Sequence, residues 1–357
     1  VAGHLQSAWD HGGAVELGAL FGLLGNDADA SPAAYAADLR QLSPQATFAP
    51  GAQGLASAQG FATRALSCPK FEGTTAMLVE GECTWLRVTA LSGEQSNDNG
   101  VADFDIDSTV YQIGGQVEFR PGWFLGGSAA YADDRLKSTD RRSRADGSSG
   151  YGALTLKHQT GPWLFAGSVF GGGGSFDTTR NISLPGYAAQ ASGDPNTSSV
   201  GLLLRSAHTI GHEAFYVRPS LDLGTIHVRS GGYQERGAGA LALDVDAASQ
   251  TTWIATPMVE IGGRVALDEH LVLRPYVSVG VSFLSNDAWT QRARLTAAPP
   301  GAGSLTTTIP HDRTVGRVSA GMQLYTRDAF DLRLQYDGEF SDSRTTHGGS
   351  LVASYRF

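Results

Sequence analysis

The chain has 357 residues, enough for one large or two ordinary domains, with 35 acidic against 26 basic side chains and a formal net charge of -9. That balance argues against a nucleic-acid binder, which carries a basic patch. Mean hydropathy is -0.15 and no apolar run approaches the roughly 18 residues of a transmembrane helix, so a helical membrane protein is excluded; a β-barrel, whose strands hide their apolar face by alternation, is not.

Val1 is neither an initiator Met nor the start of a signal peptide, so the chain reads as an excised C-terminal fragment or a processed product. Residues 1 to about 75 are Ala-rich with helical spacing. Val15, Leu17, Leu20, Leu23 and Leu24 fit one helix face. Asp29 or Ser31 is placed to cap a second helix, with Pro32 at its first position. It carries Tyr35, Ala36, Leu39 and Leu42, and stops near Ser43 and Pro44. A third helix is expected from Gly51 to Leu66; its small and polar residues suit a confined, wet environment. Cys68 and Cys83 are the only cysteines. The pair suggests a disulfide in an oxidising compartment, against two unpaired thiols. A zinc site needs more ligands than this stretch offers.

From about Gly81 the pattern changes to two-residue alternation broken by turns. Twelve segments lie near 81–92, 107–120, 122–134, 148–159, 162–175, 197–208, 213–229, 251–266, 270–286, 312–326, 329–342 and 346–357. In the eleventh, Phe330, Leu332, Leu334, Tyr336 and Phe340 share a face, opposite Asp331, Arg333, Gln335, Asp337 and Glu339. In the ninth, Val277, Val279 and Val281 oppose Arg274, Tyr276 and Ser278. The last runs as Gly349, Leu351, Ala353, Tyr355 and Phe357 to the end of the sequence, where most soluble domains fray.

Alternation alone cannot say which face is inside, and a soluble barrel or sandwich shows it too. Three features choose. The segments exceed the ~5–6 residues usual in globular strands and satisfy the ~9–11 of a membrane strand. Connections alternate: tight at Pro121-Gly122, Thr160-Gly161, Asp268-Glu269 and Arg327-Asp328, long and polar near 93–106, 135–147, 176–196, 230–250 and 287–311. Aromatics gather at segment ends, namely Trp123, Trp163, Phe215, Phe330, Trp253 and Trp289, as in two interfacial girdles. The fold class expected is an all-β membrane protein: a 12-stranded antiparallel transmembrane β-barrel with a preceding α-helical segment in or at the pore. In lipid such a sheet can have no edge, so the first and last segments must pair.

The layout ending on Tyr355-Arg356-Phe357, the Trp85-Leu86-Arg87 opening of the first segment, Tyr111 to Gln116, Gly122 to Ser128, Leu273 to Val277 and the upstream Leu39-Arg40-Gln41-Leu42-Ser43-Pro44 resemble the translocator β-domains of autotransporters, the type V secretion proteins. The resemblance covers 30–357. It implies a non-enzymatic outer-membrane anchor of a Gram-negative cell through which an N-terminal passenger reaches the surface. Residues 1–50 would be a helical linker after an absent passenger, 51–78 a pore helix and lead-in segment, and 79–357 the barrel. Arg87, Glu118, Arg218, Asp222, Glu260, Arg264, Arg274, Arg317, Arg333, Glu339 and Arg356 would line a hydrated lumen and hold the helix. Leu351, Ala353, Tyr355 and Phe357, after Gly349, would be the insertion signal read by the barrel-assembly machinery. The other partners implied are outer-membrane lipid, the passenger itself and periplasmic chaperones. The expected state is a monomer with no cofactor, no metal and no nucleic acid. The two cysteines are not a general family feature, and no role is transferred to them.

The runner-up is a stand-alone outer-membrane barrel: a porin, an adhesin or a rim protease. Asp133, Asp134, His311 and Asp312 are its rim residues, more simply read as polar loop residues. Passenger self-cleavage would need a positioned Asn and a carboxylate; the sole Asn before the barrel is Asn26, beside Asp27. Gly171 to Gly174 lacks the Lys and Ser/Thr of a phosphate loop. His208 and His212 have metal-like spacing only on a helix, and a turn is expected there. No Gly-x-Ser-x-Gly supports a hydrolase elbow. Asn196-Thr197-Ser198 matches a glycosylation acceptor of little meaning in a bacterial protein.

Overall fold

The computed structural model describes residues 1–42, 49–66, 68–96, 103–326 and 329–357. Four helices come first: α1 (Ala2–Asp10), α2 (Ala14–Ala30), α3 (Pro32–Gln41) and α4 (Ala49–Arg64). α1 falls in the stretch read as helical, although no separate helix was placed there. Ser31 starts α3 in an extended conformation, its Oγ accepts from the Ala34 N–H at 3.4 Å, and Pro32 follows at the first position. Leu17, Leu20 and Leu24 of α2 are buried, but Val15 is 93% exposed. At 100° per residue, a position two before Leu17 lies on the far side of the helix. Ser43 and Pro44 fall outside the described residues.

A hairpin of β1 (Pro69–Phe71) and β2 (Leu78–Glu80) leads into β3 (Cys83–Gln95), β4 (Phe104–Arg120), β5 (Trp123–Ser138), β6 (Ser143–Thr160) and β7 (Trp163–Leu184). β8 (Tyr187–Gly193) folds back on the outer part of β7; β9 (Asn196–His208), the short β10 (Ile210–Gly211) and β11 (Phe215–Ser230) follow. Then come β12 (Tyr233–Gln234), β13 (Leu243–Val245), β14 (Ala248–Gly263), β15 (Val265–Ala266), β16 (Leu271–Leu284), β17 (Ala288–Leu295), β18 (Leu305–Pro310), β19 (Thr314–Thr326), β20 (Phe330–Phe340) and β21 (Arg344–Arg356).

The barrel runs β3-β4-β5-β6-β7-β9-β11-β14-β16-β19-β20-β21, antiparallel throughout. β21 returns to β3, with Leu351 opposite Val88 and Arg356 opposite Cys83, which closes twelve strands into a ring. Closure leaves no backbone edge to desolvate in lipid. The twelve strands overlap the twelve expected segments. The Arg327-Asp328 turn lies outside the described residues.

The faces decide between membrane and water. Leu332, Leu334, Met322, Val277, Val279 and Leu351 are exposed, whereas Asp331, Arg333, Gln323, Arg274 and Ser278 are buried. A soluble barrel would show the reverse. Trp123, Trp163, Phe215 and Phe330 lie exposed beside the short turns and Trp253 toward the long loops. Trp289 is the exception: it is 2% exposed and packs inside the molecule rather than in a girdle.

The connections expected as long polar loops at 176–196, 230–250 and 287–311 carry structure instead. β7 is 22 residues long and continues past the barrel into a hairpin with β8. β12, β13, β17 and β18 form a separate four-stranded sheet over the same mouth. This cap and α1–α3 bury Leu5, Leu17, Leu24, Leu42, Ile182, Leu243, Leu295 and Ile309 in one apolar core. Arg180 of β7 ties the parts together. It pairs with Glu235 and donates to the carbonyls of Gln41 at 3.2 Å and Leu241 at 3.1 Å. The connections read as polar because their Ser, Thr and Asn content masked the cap's share of an apolar core that runs on around α4.

Candidate functional site

α4 runs through the ring. Its N-terminal end lies at the long-loop mouth, where Gly51 abuts the Trp289 ring so closely that a Cβ would come within 2.6 Å of it. Further along, Gly54 faces Val228 near the outer end of β11. Phe61 stacks on Tyr151 of β6, ring centroids 5.4 Å apart. Beyond Arg64 the chain reaches Cys68, joined to Cys83 at the short-turn start of β3, with Cα atoms 6.0 Å apart. Ala, Gly, Ser and Gln dominate α4 because a lumen already filled by wall side chains leaves no room for larger ones. Ala49, Ala52, Ala58 and Ala62 are all buried there.

Around the lower half of α4 the wall is charged. Gln59, Gly60, Thr63 and Arg64 share a cavity of about 230 Å³ with Arg87, Arg205, Arg218, Asp222, Glu260, Arg274, Arg317, Arg333, Asp337 and Glu339. Several of the charges are paired across neighbouring strands. Arg205 donates twice to Asp222, at 2.7 and 2.6 Å. Arg274 pairs with Glu260, which also accepts the Tyr216 hydroxyl at 2.6 Å. Arg317 pairs with Glu339 at 2.8 Å. Arg356 meets Asp331 at 3.1 Å, near the short-turn mouth. Arg344 reaches the helix itself, donating to Gln53 Oε1 at 2.9 Å. Facing water and helix, these groups avoid the ~2–4 kcal/mol that an Arg or Lys costs on the lipid face at mid-bilayer.

Most of the expected lumen residues therefore lie around one cavity. Arg264 is at the mouth, its guanidinium 5.9 Å over the Phe71 ring. Glu118 is a correction: it is exposed and accepts the Gly122 N–H at 2.6 Å, bracing the β4–β5 turn. Its parity points inward, but the register shifts between Glu118 and Arg120, and the residue sits past the end of the lumen. The sequence reading missed Lys157, Arg205 and Tyr216, and set Asp331 on the polar face of its segment without assigning it to the lumen. Strand parity marks Lys157 and Arg205, since Leu154, Leu156, Leu202 and Leu204 beside them face out. Glu80 was also missed. It lies before the barrel, where no alternation marks it.

The rim residues do not converge. Asp133 is exposed and Asp134 buried, on opposite faces of β5. Asp312 accepts the N–H and hydroxyl of Ser343, at 2.6 and 2.8 Å. Burial lowers the His311 imidazole to about 4, with Arg344 adding to the effect. Burial likewise lowers the His4 imidazole. Its Nε2 accepts the Leu295 N–H at 3.2 Å, so its Nδ1 is left to donate to the Ala302 carbonyl at 3.2 Å. Asn26 lies exposed on α2, away from the lumen. His208 packs on Trp163 and His212 on Phe215. Among the described residues no three His, Cys, Asp or Glu side chains are grouped to hold a metal. Gly171 to Gly174 belong to β7 within the barrel wall.

A family model described as Autotransporter beta-domain matches residues 84–337. No curated protein matches the chain. Among solved structures, the translocator domain of the autotransporter NalP from Neisseria meningitidis is 13% identical, with a TM-score of 0.66 over 87% of this chain and 97% of that one. The β-domain of the Bordetella autotransporter BrkA is 16% identical, with a TM-score of 0.55 over 78% of this chain and 100% of that one. The transport unit of AIDA-I from Escherichia coli is 14% identical, with a TM-score of 0.53 over 77% and 90%. At these identities the three share the fold. The family match covers most of the barrel, from the second residue of β3 into β20. The chain belongs to the autotransporter β-domain family and is an outer-membrane translocator domain of a Gram-negative cell, serving export of an N-terminal passenger.

Proposed function

We propose that residues 51–78 are the pore segment of this translocator, left in the lumen when the passenger has passed, with 1–50 as the helical linker behind the passenger and 79–357 as the barrel. One observation carries the reading: α4 lies inside a closed ring and leaves it beside the first strand of that ring. The lumen charges at Arg87, Arg218, Asp222, Glu260, Arg274, Arg317, Arg333 and Glu339, with Arg264 and Arg356 toward the short-turn mouth, keep water in the pore and seat the helix. The domain catalyses no covalent step of its own. The divergence of Asp133, Asp134, His311 and Asp312 favours this over a rim protease. It works as a monomer, since the closed ladder offers no strand edge to a second copy.

The last strand carries the assembly signal. Leu351, Ala353 and Tyr355 face outward on the seam strand β21, and Phe357 lies exposed just past its end, open to the barrel-assembly machinery and to chaperones that deliver the chain. Phe357→Ser is expected to lower outer-membrane levels by about tenfold; unchanged levels would take the terminal strand out of this role. The export reading is tested with a reporter peptide and a protease site fused ahead of Val1. In intact Gram-negative cells, added protease should cut the reporter. A reporter that stays protected while the barrel migrates as a heat-modifiable band overturns the reading.

A further inference from the structure

The β1–β2 hairpin does more than connect α4 to the barrel. Cys68 and Cys83, which bracket it, are joined by a disulfide with Cα atoms 6.0 Å apart. Two residues of extended chain span that distance. The excursion between them is therefore surplus to connection, and its contacts show where it goes. Pro69 O accepts the Tyr325 hydroxyl of β19 at 3.1 Å, and Phe71 packs on the Tyr325 ring at 5.4 Å. The Ala76 N–H donates to the His212 carbonyl at 2.9 Å and Leu78 O accepts the Thr209 hydroxyl at 3.3 Å, both at the β9–β11 turn. The Glu80 N–H donates to Gln159 at 3.3 Å, beside the β6–β7 turn.

These anchors lie on different walls around the short-turn mouth. Ala76 and Leu78 bury against Tyr216 of β11 in a small apolar cluster of their own, separate from the main core. Glu80 reaches into the mouth. Its carboxylate takes the Lys157 ammonium of β6 at 2.7 Å and the Gln116 amide of β4 at 3.1 Å, and Arg218 of β11 stands 4.0 Å away. Glu80 and Lys157 are both almost wholly excluded from solvent. Pro69 and Glu80 also line the cavity of about 230 Å³ beside Arg205 and Arg218, so the hairpin bounds that cavity on its short-turn side. Strand pairing and apolar contact hold the hairpin across the opening, and the disulfide fixes both its ends to one point on the rim.

We propose that this hairpin is a second seal: a plug over the periplasmic mouth that blocks ion flow independently of α4. The orientation rests on the translocator reading, in which short turns face the periplasm. The seal itself rests on the contacts above. It fits a domain whose lumen must pass a chain once and then keep the outer membrane tight.

The test is single-channel conductance in planar bilayers of four full-chain proteins. They are the unaltered protein, one lacking residues 51–66, one with residues 70–80 replaced by Gly-Ser-Gly, and one with both changes. Heat-modifiable migration checks that each barrel is formed. Without the helix, the hairpin alone is expected to hold conductance at least threefold below that of the double variant. An increment below threefold on removing the hairpin overturns the seal. If the unaltered protein already conducts like the helix-deleted one, α4 is no plug, and that failure is visible separately. Should the hairpin replacement fail to form a barrel, Glu80→Gln in the helix-deleted protein takes its place. It strips Lys157 of its counter-charge and is expected to raise conductance; no rise overturns the proposal.

Discussion

The barrel wall and the cap above it use one alternation with opposite signs. In β20, Leu332 and Leu334 face out while Arg333 is buried. In β13 and β17, Leu243 and Leu295 are buried opposite one another while Arg294 pairs with Asp244 at the surface. β7 crosses between the two regimes within a single strand: Phe165 and Val169 are exposed, then Phe176, Ile182 and Leu184 are buried. The sign follows the solvent. In lipid the apolar face is already satisfied outside, and the interior is left for water, charge and the helix. In water the same residue types must turn inward.

Substitutions on the two sides put that contrast to the test. Leu243→Ala empties a fully buried site in the cap and should cost about 2–5 kcal/mol there. Limited proteolysis should show a loosened cap around residues 230–250 while the heat-modifiable barrel band is unchanged; a destabilised barrel would mean the two regions are not energetically separate. Leu334→Arg places a charge on the outward face between Met322 and Leu351 of the neighbouring strands, on a side chain that is 57% exposed. In lipid vesicles it should lower unfolding stability by about 2–4 kcal/mol. A neutral result would argue that this face meets water.

Smaller effects belong to the helices. Ser31→Ala removes the α3 cap and should cost about 0.5–2 kcal/mol, toward the low end because the bond is 3.4 Å long. Faster amide exchange in the first turn of α3 is the readout. The smallest effect is a pH dependence at His4. Burial lowers its folded-state value below the ordinary one of about 6.5. The unfolded form thus takes up the proton first, so the contribution of His4 is whole above about 6.5 and is lost as pH falls. Protection of the Leu295 amide, corrected for intrinsic exchange, should drop between about pH 7 and 5; flat protection would show that the neutral ring is not what docks α1.

The twelve strands were legible because lipid on one side and a wet lumen on the other impose period two along their length. The helix was legible from its smallness, since Gly51, Gly54 and Ala58 make a poor oily face but fit a crowded pore. The cap was not legible. Its strands are short, as in β12 and β13, and its inward residues are separated by Ser, Thr, Asn and Gly that read as loop. Trp289 shows the limit well: a Trp at a strand end fits a membrane girdle, and nothing local distinguishes it from one that closes the pore over Gly51. Glu118 was misplaced for a related reason. Parity gives the direction of a side chain but not how far along the pore it sits. The pairing of Glu80 with Lys157 joins a segment outside the ladder to one within it, and no sequence period couples the two.

The threading of α4 has a mechanical consequence. On one side of the ring its chain runs into three helices docked on a folded cap; on the other it runs into a hairpin stapled to the rim. The helix is an axle with a hub at each end, interlocked with the ring as in a rotaxane. It cannot be drawn out in either direction while both hubs are folded. Pulling on the upstream chain would load the Arg180 and His4 contacts of the cap before it reached any bond that seats the helix in the pore.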